Sequence, residues 1–208
     1  YFDTTGLSQM DYFLADPYTD PAENEAFFTE QLLRLPHSHF CYMWHDAPGE
    51  TGPLPAGRNG YITFGSLNNI AKVNEQVLKV WSHILQQVPD SRLYLKAAGL
   101  NHDYGRKLLQ QQLEQAGISL ERVVLAVSEP DYLHAYQDID IALDTFPYPG
   151  GGTTCDALYM GVPVVTLCGK RHNARFGYSL LMNMGMKECC ADSLDDYVQK
   201  VINLAHDT

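Results

Sequence analysis

From Tyr61 onward the chain alternates short, β-rich apolar runs with helical patterns, and this alternation narrows the possible folds more than any other feature. The apolar runs fall at residues 61–64, 92–96, 122–127, 139–143 and 162–167. Helical patterns occupy residues 74–88, 103–116, 132–137, 154–160, 174–184 and 193–204. In the first of these, Val77, Trp81, Ile84 and Val88 share one face at the 3.6-residue period, flanked by Leu78 and Leu85. Asn74 stands as its N-cap and Pro89 follows it, while Gly117, Gly161 and Gly185 are placed to stop later helices. Strands separated by helices pair in parallel, and right-handed crossovers put helices on both faces. The expectation is an α/β fold with a Rossmann-like parallel sheet. Ligands of such sheets sit beyond the carboxyl ends of the strands, so the loops there are where chemistry is to be sought.

Residues 1–60 read differently. They hold nine acids against two bases and six of the eleven prolines, a net −7 of the chain's −11. Residues 21–34 read as a helix with Glu23 and Glu25 in its first turn, where the dipole favours them. Residues 40–44 read as a short strand, and 47–59, rich in Pro and Gly, as a linker or crossing segment. The chain divides into 1–60 and 61–208, and its start at Tyr1 without Met points to a fragment of something longer. The acidity argues against a nucleic-acid polymer or an anionic membrane as partner. No apolar run reaches 18 residues, and no signal peptide is visible. Five cysteines without C-x-x-C spacing give neither a disulfide framework nor a zinc site, which fits a reducing, cytoplasmic compartment. The pair His37 and His39 lacks further ligands at metal spacing, and Asp138-Ile139-Asp140 opens a hydrophobic strand, so no metal is expected.

Two loops carry donors suited to an anion. After the first apolar run, Gly65 offers close backbone approach, and Asn68, Asn69 and Lys72 follow within one turn. After residue 143, Gly150-Gly151-Gly152-Thr153-Thr154 runs from strand into helix, so free N–H groups and the positive helix end face the loop. Asp156 then lies where it can accept from ribose hydroxyls. Neither a P-loop nor a G-x-G-x-x-G fingerprint occurs. His134 is placed to meet a base or to serve structure; Lys170, Arg171 and Arg175 make the densest basic cluster, near a diphosphate or at a solvated helix entry.

The strings Phe64-Gly65-Ser66-Leu67-Asn68-Asn69-Ile70-Ala71-Lys72, Leu143-Asp144-Thr145-Phe146-Pro147-Tyr148 and the run from Gly152-Thr153-Thr154-Cys155-Asp156 to Val164-Val165-Thr166 resemble the C-terminal catalytic region of the O-GlcNAc transferase family, including its SPINDLY branch. The resemblance continues upstream through Thr4-Thr5-Gly6, Met10-Asp11-Tyr12 and Leu35-Pro36. It implies the C-terminal lobe of a GT-B glycosyltransferase over residues 61–208, with 1–60 as the end of the first lobe and the crossing segment. It implies an inverting transfer of a sugar, GlcNAc first, from a nucleotide sugar to protein Ser and Thr hydroxyls, with tetratricopeptide repeats upstream. It also implies that this stretch alone is not a complete enzyme, because the family's histidine early in the first lobe is missing from it.

Carried over by position, Lys72 is similar to the lysine that contacts the donor diphosphate and supports its departure. Asn69 stands where the animal enzymes have glutamine, His134 at the base, and Asp156 at the ribose. Gly151, Gly152 and Thr153 replace His-Thr-Thr around the diphosphate, with Thr154 at the same helix start. Asp131 replaces a lysine near the base, which leaves the donor open between UDP-GlcNAc and GDP-fucose. No cofactor or metal is expected. A non-catalytic nucleotide-sugar-binding module and a GT-B enzyme acting on small acceptors remain as other readings.

Overall fold

The computed structural model describes residues 3–43 and 51–207. Six parallel strands form the main sheet: β3 (Thr63–Ser66), β4 (Arg92–Ala97), β5 (Val123–Val127), β6 (Ile141–Leu143), β7 (Val164–Leu167) and β8 (Cys190–Ala191). Their spatial order is β5-β4-β3-β6-β7-β8. This is the doubly wound order, in which the chain builds outward from β3, returns, and builds the other half from β6. The switch point therefore lies between β3 and β6, whose registers pair Phe64 with Ile141 and Gly65 with Ala142.

The helices are α1 (Pro55–Asn59), α2 (Glu75–Gln87), α3 (Asp103–Gln115), α4 (Gly152–Tyr159), α5 (Phe176–Asn183) and α6 (Leu194–His206). Asn74 caps α2 through its side chain, which accepts from Val77 N at 3.0 Å. Ser193 caps α6 in the same way through Asp196 N. The apolar faces of α2 and α6 bury Trp81, Ile84, Tyr197 and Val201 against β3, β4 and β6 in the larger of two cores. The smaller core packs α4 and α5 on the other face, around Ala157, Met160, Val164 and Leu181.

Gly65 lies inside β3, and its absent side chain serves packing. A Cβ there would overlap the Ile139 side chain. The expectation that Gly65 admits a ligand is thus replaced by a close approach of two buried segments. Asp138-Ile139-Asp140 is structural too: Asp140, 1% exposed, accepts from Ala56 N and Thr63 N at 2.7 Å each and so ties α1 to β3.

Residues 3–43 depart from the expected helix at 21–34. Only a 3-10 turn over Ala22–Phe27 forms; the chain then enters β2 (Gln31–Arg34), which pairs in parallel with β1 (Tyr12–Ala15). Two anchors end the helical path. Glu30, 5% exposed, is held by the Thr4 and Thr5 hydroxyls and by Thr5 N. Arg34 folds back onto the carbonyls of Asp20 and Pro21 and onto Glu25. Residues 40–43 form no strand; they pair with no strand among the described residues, and the side chains of Phe40 and Tyr42 turn to α5 and α4 while Cys41 and Met43 are exposed. Trp44 and residues 47–50 lie outside the described residues, and the expected linker contains α1. β8 was not expected, because a two-residue strand leaves no period in the sequence.

The segment is joined to the main sheet by buried ionisable pairs. His172, 1% exposed, bonds the Asp20 carboxylate. His39 Nδ1 meets Asp16 Oδ2 at 2.8 Å, and Ser179 donates to that same oxygen at 2.8 Å. Hydrogen bonds from His39, Thr19 and Ser179 hold the Asp16 carboxyl well below the usual range, against the opposing effect of its burial. Arg175 adds a bond to Tyr18 O at 2.7 Å.

Gly65→Ala should destabilise the chain by about 1–3 kcal/mol through overpacking. A fall in the urea midpoint, partly restored by adding Ile139→Val, is the measurement; an unchanged midpoint would reject the close approach.

Candidate functional site

The loops after β3 and β6 meet at the switch point and enclose a cavity of about 470 Å³. Its walls include Asn68, Asn69, Lys72, Tyr132, Gly151, Thr153 and Asp156, together with Phe40 from the first segment and Asn173 and Phe176.

Asp144, at the end of β6, organises these walls. It is completely buried, and its Oδ1 receives Gly150 N at 2.6 Å, Thr145 N at 2.9 Å and Asn68 Nδ2 at 3.3 Å. Oδ2 receives the Thr166 hydroxyl at 2.8 Å. The carboxylate thus pins the glycine-rich loop to the β3 loop and to β7 at once. Helix α5 passes so close that a Cβ on Gly177 would overlap both Thr166 and Asp144. Burial pushes the Asp144 carboxyl up to about 6, offset in part by Gly150 N, the Thr166 hydroxyl and the Lys72 charge.

Lys72 closes a 3-10 turn capped by Asn69, whose Oδ1 accepts from Ala71 N at 3.0 Å. Its Nζ donates to Pro149 O at 2.7 Å and lies 4.5 Å above the Tyr148 ring. Burial lowers its pKa, and the Asp144 charge opposes this. The ammonium thus stands beside the start of α4. Gly151 is that helix's N-cap and offers no side chain to it, so among the described residues the first-turn N–H groups have no side-chain cap. A preorganised cation next to free helix amides is a site for an anion.

The expected residues divide on this geometry. Lys72, Asn69, Gly151, Gly152, Thr153 and Asp156 converge on the cavity. Thr153 turns its hydroxyl to Asn68 Oδ1 at 3.0 Å. Thr154 is 2% exposed and faces inward behind the loop, away from the cavity. His134 is exposed and pairs with Asp131 at 2.8 Å, outside the residues that wall the cavity. The basic cluster goes elsewhere: Arg175 is spent on Tyr18 O and Gly169 O, Arg171 lies over Phe27, and His172 is paired with Asp20. Of that stretch only Asn173 reaches the cavity.

Several site residues were missed. Phe40 packs edge-on to Phe176 with centroids 5.7 Å apart and covers Gly151. Tyr42 donates to Asp156 Oδ1 at 2.6 Å and Tyr132 to Oδ2 at 2.9 Å. A contact spanning 114 residues leaves no periodic signal. Among the described residues no group of three potential metal ligands converges, and no helix is long and apolar enough to cross a membrane.

This doubly wound sheet is shared with solved GT-B glycosyltransferases. The chain belongs to glycosyl transferase family 41, whose profile matches residues 54–208. It is 44% identical over its whole length to a Solanum lycopersicum protein named "Probable UDP-N-acetylglucosamine--peptide N-acetylglucosaminyltransferase SPINDLY", and spans 23% of that relative. An Arabidopsis thaliana relative of the same type, named SEC, is 26% identical. The solved Thermobaculum terrenum O-GlcNAc transferase (K341M mutant) superposes with a TM-score of 0.89 at 36% identity, over 99% of this chain and 39% of that one. Sucrose-phosphate synthase from Thermosynechococcus elongatus, at 12% identity and a TM-score of 0.54, shares the fold.

Asp144 predicts a pH dependence. A carboxyl at about 6 when folded and near 3.8 when unfolded binds more protons in the folded state between those values. Its contribution to stability is therefore greatest below pH 4 and falls by about 3 kcal/mol as pH rises past 6. Asp144→Asn should remove that decline, so the stability difference between parent and variant should slope across pH 4–6. A pH-independent difference would contradict it.

Proposed function

We propose that the chain carries the donor site of an inverting glycosyltransferase that moves a sugar from a nucleotide sugar to Ser and Thr hydroxyls of proteins. The observation that carries this reading is the Lys72 ammonium standing beside the uncapped start of α4 in one cavity. The donor diphosphate sits on the N–H groups of residues 152–154. The acceptor oxygen forms the new bond to the anomeric carbon as the bond to the diphosphate oxygen breaks on the opposite face. The charge that develops on the departing diphosphate is met by Lys72 and the helix dipole, with no metal. The acceptor proton goes to a base outside the residues assigned here.

Asp156 takes the ribose, and His134, which pairs with Asp131 outside the cavity, meets the base only by leaving that pair. Residues 1–60 are the end of the first lobe and the crossing segment, 61–208 the donor lobe, with tetratricopeptide repeats upstream in a cytoplasmic protein. UDP-GlcNAc is the first donor, in line with the names of the Solanum and Thermobaculum relatives. GDP-fucose is the second, and past Asn69 and Tyr132 a neighbouring cavity of about 250 Å³, walled by Lys96, Gly99 and Ser128, offers a place for either base.

Lys72→Ala in the full-length protein should lower transfer by about 10²–10³-fold, roughly 2.7–4 kcal/mol of transition-state stabilisation, with the fold intact by circular dichroism. Near-parental turnover would reject the role. Calorimetry of UDP against GDP on the same protein selects the donor. Affinity for either without transfer to a peptide mixture would leave a binding module in place of an enzyme.

A further inference from the structure

Asp156 holds an unusual position among the buried acids. It is 3% exposed, borders the cavity, and its hydrogen-bond partners among the described residues are two phenols. The other buried carboxylates each have an imidazole, a backbone N–H group or a nearby ammonium: Asp20 has His172, Asp16 has His39, Asp140 two amides, Asp144 amides with the Lys72 charge near, and Glu30 the Thr5 amide beside threonine hydroxyls. A neutral hydroxyl fixes a carboxylate without cancelling its charge. An ionised carboxylate has about four lone-pair sites, and one phenol on each oxygen leaves one site free on each. Two acceptor sites on one rigid carboxylate match the two donors of a cis-diol.

The two phenols come from opposite sides. Tyr132 belongs to the loop after β5. Tyr42 belongs to residues 40–43, which leave the β1–β2 unit and cross to α4, with Phe40 seated against Phe176 and over Gly151. Burial and the Asp156 charge push the Tyr132 phenol up to about 12 and the Tyr42 phenol further, so both remain donors throughout the physiological range.

We propose that Tyr42 and Tyr132 are positioning residues that clamp the Asp156 carboxylate in the plane that receives the ribose 2′- and 3′-hydroxyls, and that through Tyr42 residues 40–43 become part of the nucleotide site. The proposal rests on the assignment of Asp156 to the ribose. Tyr42 touches the reaction only through Asp156. Its loss frees the carboxylate to rotate and weakens its hold on the diol, while the diphosphate contacts at α4 are untouched.

The test is calorimetry on the full-length protein with UDP and GDP, each beside its 2′,3′-dideoxy form. Tyr42→Phe and Tyr132→Phe should each weaken the ribonucleotide about 3–10-fold, the scale of one net hydrogen bond, and leave the dideoxy form within twofold. Asp156→Asn should collapse the ribo-to-dideoxy ratio. A ratio unchanged in Asp156→Asn overturns the ribose assignment and the clamp with it. A ratio that collapses in Asp156→Asn but holds in both phenylalanine variants overturns the clamp alone. Equal weakening of both nucleotide forms marks a merely structural tyrosine, and tighter ribonucleotide binding in Tyr42→Phe marks a competitor for Asp156; each overturns the clamp. Tyr132→Phe keeps the test decisive if Tyr42→Phe fails to fold.

Discussion

A single buried carboxylate sets the architecture of this site. Asp144 ends β6 at the point where the sheet reverses its build, and it binds the glycine-rich loop, the β3 loop and β7 together. Its carbonyl also accepts the Tyr197 hydroxyl at 3.0 Å, which anchors α6 beneath the same loop. Burying such a charge is costly unless donors surround it. Here the loop amides meet that demand, so Gly150 N cannot wander and the start of α4 is held open toward the cavity. The cost of keeping the charge buried is the source of the loop's rigidity.

Lys72 completes this arrangement. It does not close on Asp144; it spans to Pro149 O and keeps its charge at the cavity wall. The electrostatics are thereby split. One acid shapes the loop from behind, one cation faces the space in front, and the helix dipole points the same way as the cation.

The sheet was legible because its strands and helices carry opposite periods. Val77, Trp81, Ile84 and Val88 announce one face of α2, and all four are buried. The meeting of Lys72 with residues 151–153 was legible for a related reason: they are local to two loops that strand order alone places side by side. Three kinds of information were not. The path of residues 21–34 was decided by tertiary anchors on Glu30 and Arg34, which outweigh a helical composition. The basic cluster was open between a diphosphate contact and a solvated helix entry, and the sequence could not show that Arg175 takes neither role but bonds Tyr18 O, 157 residues away. Thr154 looked like its neighbour Thr153, and only the turn of the helix separates the one that faces the cavity from the one that does not.

The buried seam between residues 16–39 and 172–179 bears on how such proteins are divided and recombined. The family profile begins at residue 54, yet His172, Ser179 and Arg175 find their partners in Asp20, Asp16 and Tyr18. The main sheet and its helices, cut at that boundary, would leave an imidazole, a hydroxyl and a guanidinium facing water where they now meet two acids and a carbonyl. The same holds for chimaeras. A first segment borrowed from another family member must bring acids at the positions of Asp16 and Asp20, or the exchange leaves His172 and Ser179 unmatched next to Asn173 and Phe176 of the cavity wall. The unit that can be inherited, transplanted or redesigned as a whole is therefore larger than the Rossmann-like sheet that defines it by eye.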